Sequence, residues 1–303
     1  MADLSTSVGK LQLRNPTMLA SGILGETAEL LLRVADSGAG AVITKSIGLE
    51  PREGHPNPTV VEMEHGLLNA VGLANPGIEV FKEEMQVATK GDVPVIGSIF
   101  GKNVHEFTKL AVKMEEFGAT AVELNLSCPH AEGLGDEIGA DPRNVEEITK
   151  GVKGSVSIPV FPKLTPNVKD IVELADAAAK GGADGVVAIN TVRAMAISPE
   201  ARMPILANKI GGLSGTAIRP IGVRCVYEIW EEVPIPVIGV GGISTGMDAL
   251  EYLMAGASAV QIGSGVRIGG PEVFSRVCKE IEEFLERNGH SSLNDVLGAA
   301  HSC

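Results

Sequence analysis

One pattern recurs eight times along the chain and limits the folds open to it. A short β-rich apolar run ends in polar or glycine residues, and a segment with helical spacing follows. The runs span residues 17–21, 41–46, 94–99, 121–127, 159–164, 185–190, 236–242 and 259–264. Continuous apolar runs suit parallel strands covered on both faces. The segments between them carry helix signals. Asn103 stands three residues before Glu106, and Val104, Phe107, Leu110, Ala111, Met114 and Phe117 then form one apolar stripe, with Gly118 as a stop. Asp141-Pro142 places a cap before a first-turn proline. Asn167 and Asp170 repeat the capping logic ahead of Ile171, Leu174, Ala175 and Ala178.

Eight β/α units predict an α/β fold of the (β/α)8 or TIM-barrel type, as one domain spanning residues 1–303. A doubly wound open sheet is the alternative. It is disfavoured because no G-x-G-x-x-G follows the first run, and the glycines of 133–139 have the wrong final spacing and follow the fourth. Residues 3–15 read as an N-terminal two-stranded ribbon that turns near Gly9-Lys10 and plugs the barrel floor. Three connections are long, at 47–75, 128–140 and 191–217. All follow strand ends, so all fall on the C-terminal face where barrel enzymes carry their chemistry.

Composition excludes several function classes. Arg and Lys number 25 against 38 Asp and Glu, a net charge of −13 with no basic block, which argues against nucleic acid or an anionic membrane as a partner. Seven Phe, two Tyr and one Trp are too few for a base-stacking platform. No apolar run approaches the ~20 residues of a membrane span. The N-terminal residues lack a basic or apolar signal region. These features predict a cytoplasmic protein. The four cysteines, at 128, 225, 278 and 303, are widely spaced without C-x-x-C, so no metal or iron–sulfur site is expected in this chain. Cys225 and Cys278 lie in helical patterns and read as packing residues.

The last two runs end in Gly239-Val240-Gly241-Gly242-Ile243-Ser244 and Gln261-Ile262-Gly263-Ser264-Gly265. Glycines there let backbone N–H groups approach an anion, at the usual phosphate position of a barrel. Plain tight turns are the simpler reading, and the motif does not say whether a phosphate would belong to cofactor or substrate. Lys45 and Lys163 end the second and fifth runs. Each alone could snorkel to solvent. Together they aim two cations at one mouth and suggest an anionic ligand or developing negative charge. Asn69, Asn125 and Asn190, with Ser127 and Thr191 beside the last two, suit recognition of a planar polar ring. Cys128 opens the glycine-rich stretch 133–141, which reads as a mobile lid. It could serve as nucleophile, general base or inert thiol. His130 could activate it or be an exposed loop residue.

Asn125-Leu126-Ser127-Cys128-Pro129 resembles the N-x-S-C-P signature of class 1 dihydroorotate dehydrogenases. The segment 67–77, LLNAVGLANPG, resembles their substrate loop, and 204–215, PILANKIGGLSG, looks like the class 1B, NAD-linked branch. The resemblance covers essentially the whole chain, with every motif in order. It implies an FMN-containing barrel that oxidises dihydroorotate to orotate in pyrimidine biosynthesis. It implies FMN contacts at Ser21, Lys45, Ser46, Asn125, Lys163, Ile189, Gly215, Gly241, Gly242, Gly263 and Ser264, with Lys163 facing the flavin pyrimidine end. It implies substrate contacts at Lys45, Asn69, Ala70, Val71, Gly72, Leu73, Asn125, Asn190 and Thr191, and Cys128 as general base. The class 1B resemblance further implies a homodimer joined by an electron-transfer subunit carrying FAD and a [2Fe–2S] cluster, with NAD as final acceptor. His130, Ser98 and Ala194 depart from the family pattern, which often has Asn, Asn and Gly there. A related FMN barrel acting on dihydropyrimidines, a flavin-free phosphate-sugar lyase or isomerase, and a non-catalytic barrel are the competing readings.

Overall fold

The computed structural model describes residues 2–126 and 138–302. Eight parallel strands close into a barrel in sequential order: Thr17–Leu19, Ala41–Ile43, Val95–Ile99, Ala121–Asn125, Val160–Leu164, Val186–Ala188, Val237–Val240 and Ala257–Ile262. The sixth strand pairs with both the fifth and the seventh, and the eighth pairs with the first. The expected (β/α)8 barrel is therefore the observed one. All five residues of Val95–Ile99 are buried, as are all four of Val237–Val240, because helices cover the outside while side chains fill the inside.

The connecting helices begin where local chemistry allows. Helix Val104–Glu116 starts at Asn103, whose side chain accepts the Glu106 N–H at 3.0 Å, and Gly118 leaves it at φ +99°. Helix Pro142–Lys153 starts at Asp141, which accepts the Arg143 N–H at 2.9 Å. Helix Val172–Lys180 corrects one expectation. Its N-terminus is served by Asp170, which accepts the Val172 N–H at 2.9 Å, whereas Asn167 faces the neighbouring loop and caps nothing.

The interior has two levels. Strands Thr6–Val8 and Leu11–Leu13 pair antiparallel and turn at Gly9. Their Val8, Leu11 and Leu13 pack with Met18, Ala41, Ile43, Ile96, Ala121, Phe161, Val187, Ile238 and Ala259 inside the barrel. The ribbon is thus the barrel's floor, as its alternating apolar residues suggest. Two strand positions further along several of these strands, the same inward face turns polar: Ser98 after Ile96, Glu123 after Ala121, Lys163 after Phe161 and Gln261 after Ala259. The polar layer faces the C-terminal mouth.

Above the mouth, two of the long connections combine. Val60–Met63, Gly66–Asn69, Ile210–Ser214 and Val192–Met195 form one antiparallel sheet, in that order, with Asn69 opposite Gly212. Cys225, in Arg219–Glu232, is buried, and Cys278, in Val273–Arg287, is partly buried, as packing residues should be. Among the described residues, no helix is long and apolar enough to cross a membrane.

Candidate active site

The polar layer is a closed hydrogen-bonded cluster. Lys163 is 5% exposed, and its ammonium donates to Gln261 Oε1 at 3.0 Å and to Ser21 Oγ at 3.2 Å. Glu123, 1% exposed, lies 3.6 Å from that ammonium. The Glu123 carboxylate accepts from Ser21 Oγ at 2.7 Å and from Gln261 Nε2 at 2.7 Å. Desolvating one charge without a partner is costly, so a buried lysine must be paired and hydrogen-bonded in this way. Strand register brings the members together, since Ser98 pairs with Glu123 and Asn125 with Lys163. The Ser46 and Ser98 hydroxyls share a hydrogen bond of 2.9 Å, and Asn125 Nδ2 donates to Ser46 Oγ at 3.0 Å. Asn190 Nδ2 reaches Asn125 Oδ1 at 3.4 Å, and Asn190 Oδ1 takes the Thr191 N–H at 2.8 Å.

The structure therefore gathers Ser21, Ser46, Asn125, Lys163, Asn190 and Thr191 at one mouth. Ile189 is buried beside them, its N–H bonded to Val240 O at 3.1 Å. Lys45 stands apart from this cluster. Its ammonium pairs with Glu26, and it borders a cavity of about 240 Å³ with Asn75, Pro76 and Phe81. Glu26 carries no motif that marks it as a partner of Lys45.

The glycine turns after the seventh and eighth strands meet as expected. Gly215, Gly242, Ser264 and Gly265 line a cavity of about 110 Å³, with Thr216, Ser244 and Arg267 at its wall. Gly242 has φ +69°, and a Cβ there would sit 2.7 Å from Gly215 O, so neither backbone nor space tolerates a side chain. Gly241 and Gly263 adjoin it in the chain. The helix Gly246–Met254 that follows is held by a capping box between Thr245 and Asp248. Glu62 and Glu64 also line the cavity and Arg267 pairs with Glu62, so it is the bare backbone of the turn that suits a phosphate.

The substrate-loop residues occupy the rim. Asn69 Nδ2 donates to Gly212 O at 3.1 Å, Ala70 N–H donates to Thr59 O at 2.7 Å, and Val71 O accepts the His55 N–H at 3.0 Å. Gly72 and Leu73 both have positive φ, at +78° and +57°. Two tethers were not anticipated. Asn75, 7% exposed, accepts the N–H groups of Gly48 at 3.1 Å and Gly77 at 2.9 Å and donates to Leu73 O at 2.9 Å. Asn167 donates to Thr191 O at 3.2 Å and accepts the Arg193 N–H at 2.9 Å. An Asn-Pro-Gly sequence at 75–77 and an asparagine three residues beyond the end of the fifth strand are the available signals.

Ser127, Cys128, His130 and the start of the expected lid lie outside the described residues. Leu126 and Gly139, which flank them, are joined by a 2.9 Å backbone hydrogen bond at the mouth.

Fold and site define a (β/α)8 barrel with a buried ion-paired polar layer and a glycine-lined cavity at its C-terminal mouth. A family model described as dihydroorotate dehydrogenase matches residues 3–285. A protein of Methanocaldococcus jannaschii named dihydroorotate dehydrogenase B (NAD(+)), catalytic subunit, is 53% identical over 302 residues, covering 98% of each chain. A Pyrococcus horikoshii protein of the same name is 53% identical over 290 residues, covering 96% of this chain and 95% of its own. The fold is also that of the Eimeria tenella DHODH crystal structure in complex with ferulenol, with a TM-score of 0.85, 24% identity, and coverage of 99% of this chain and 89% of that one. The chain belongs to the dihydroorotate dehydrogenase family.

Proposed function

We propose that this chain, one barrel domain over residues 1–303, is the catalytic subunit of an NAD-linked dihydroorotate dehydrogenase that oxidises dihydroorotate to orotate with FMN as its resident cofactor. The observation that carries the reading is the buried Lys163 ammonium, held by Ser21, Gln261 and Glu123 at the mouth that also bears the glycine cradle. A fixed cation in a water-poor site stabilises negative charge where it develops.

The residues present fit FMN. Gly215, Gly241, Gly242, Gly263 and Ser264 would hold its phosphate. Ser21, Lys45, Ser46, Asn125, Lys163 and Ile189 would hold the ring system. When bound, FMN supplies the acceptor for the hydride that leaves dihydroorotate. Asn69, Asn125, Asn190 and Thr191, with the 70–73 backbone, would orient the substrate ring, and Lys45 would meet its carboxylate in exchange for Glu26. Cys128 would take the proton from the ring carbon beside the carbonyl. An ordinary thiol titrates near ~8.5, so flavin reduction should speed up as pH rises towards that value. Cys128→Ala should keep FMN and slow its reduction by dihydroorotate about 10²-fold or more, the usual worth of general base catalysis. Unchanged reduction in that variant would refute the role.

The chain carries no G-x-G-x-x-G after a strand and no cysteine cluster. NAD reduction would therefore need a partner subunit with FAD and a [2Fe–2S] cluster, around a homodimer of this chain. Exposed Met195 and Ile210 on the rim sheet, and Ile197 and Met203 on the short strand pair Ile197–Ser198 and Met203–Pro204, support such contacts. Efficient NAD reduction by the purified single chain would contradict this. A cytoplasmic location belongs to the same reading.

A further inference from the structure

Glu123 is a fully enclosed carboxylate to which the proposed chemistry gives no task. Its position is nonetheless specified from every side. Oε1 accepts from Ser21 at 2.7 Å and from Ser98 at 3.5 Å, and lies 3.6 Å from Lys163 Nζ. Oε2 accepts from Gln261 Nε2 at 2.7 Å. Gln261 faces both charges, because its amide oxygen accepts from Lys163 at 3.0 Å while its NH2 group donates to Glu123. Lys163 closes the circuit on Ser21 at 3.2 Å. The members stand on the third, fourth, fifth and eighth barrel strands and just beyond the first, so barrel register fixes their relative positions. Buried ion pairs are often no more stabilising than apolar residues of the same shape. Stability alone therefore does not account for a second buried charge beneath the lysine.

We propose that Glu123, acting with Gln261, is a positioning residue that fixes the Lys163 ammonium and sets how much positive charge the mouth presents to a reduced flavin. The inference rests on the FMN reading above. With the carboxylate in place, the pair is close to neutral at a distance and positive only at the ammonium end. Without it, an uncompensated cation remains, and an electron-rich flavin is favoured further. The carboxylate thus keeps the flavin from becoming too strong an electron trap to pass electrons onward.

The test is the flavin midpoint potential of the FMN-loaded chain, measured by equilibrium reduction against a reference dye. Glu123→Gln removes the charge and keeps the shape. It should retain FMN and raise the reduced-to-oxidised ratio at fixed potential tenfold or more, about 30 mV for a two-electron couple. Glu123→Asp, which keeps the charge, should return most of the shift. Should Glu123→Gln fail to fold around its unpaired lysine, Gln261→Glu tests the same ammonium with the opposite sign, because it sets a second carboxylate where the amide oxygen now accepts from Lys163 at 3.0 Å. It should lower the reduced-to-oxidised ratio tenfold or more. A potential unchanged within twofold in whichever of these two variants folds overturns the proposal. A wild-type chain that takes up no FMN overturns the functional reading instead.

Discussion

Replacing Asn75 with alanine isolates the tether of the substrate loop. The Asn75 side chain makes three hydrogen bonds to backbone, two of them to the N–H groups of the buried residues Gly48 and Gly77. The third partner, Leu73 O, is partly exposed and can be rehydrated. A buried donor left unpaired costs ~1–3 kcal/mol. Two orphaned donors therefore give a destabilisation of about 2–6 kcal/mol. The paired backbone bonds between Asn75 and Arg52 survive the change, so the loss should stay within this range. At about 2–4 °C per kcal/mol, the melting temperature should fall by ~4–24 °C. Because Leu73 ends the 69–73 loop, the KM for dihydroorotate should rise while FMN content stays constant. Thermal unfolding and steady-state kinetics on the same preparation read both effects. A destabilisation below ~0.5 kcal/mol, or an unchanged KM with the full stability loss, would refute the argument.

Other perturbations reach separate parts of the molecule. Gly242→Ala forces a Cβ into a left-handed turn, which costs ~1–2 kcal/mol in backbone strain alone, so FMN retained after gel filtration should fall about tenfold or more in affinity; undiminished retention would remove this turn from the phosphate site. Asn167→Ala should raise the KM for dihydroorotate several-fold with FMN content unchanged, and an unaltered KM would reduce the Thr191 tether to a structural detail. Burial pushes the Cys225 thiol up to about 11 from its ordinary value near 9. The folded state thus holds a proton that the unfolded chain releases first, and stability should decline as pH rises from about 9 towards 11. Denaturant unfolding of Cys225→Ala across that range should show a shallower decline, and an identical slope would contradict the assignment.

The barrel was legible because each strand is a mainly apolar run between turn signals, and such runs have few alternatives to burial on both faces. Caps at Asn103 and Asp141 were legible for the same local reason. Asn167 misled because an asparagine ahead of a helix has the same sequence appearance whether it caps that helix or ties a neighbouring loop. The rim sheet was not legible, since its strands at 60–69 and 192–214 are far apart in sequence and pair only across the barrel mouth. Lys163 is visible at a strand end, but its partners stand on other strands and meet it only through barrel register. A signal existed: Glu123 and Gln261 are polar residues set within otherwise apolar runs, two positions after Ala121 and Ala259 and so on the same inward face. Glu26 carried no such signal, because its pairing with Lys45 depends on how the loop after the first strand folds back.

The visible absorption spectrum of the purified chain, taken without oxygen before and after adding dihydroorotate, tests the central claim most directly. The account predicts a flavin spectrum that bleaches on addition of dihydroorotate. A flavin spectrum that stays oxidised would assign the site to another reduced ring, and a colourless protein that free FMN does not restore would contradict the flavin assignment altogether.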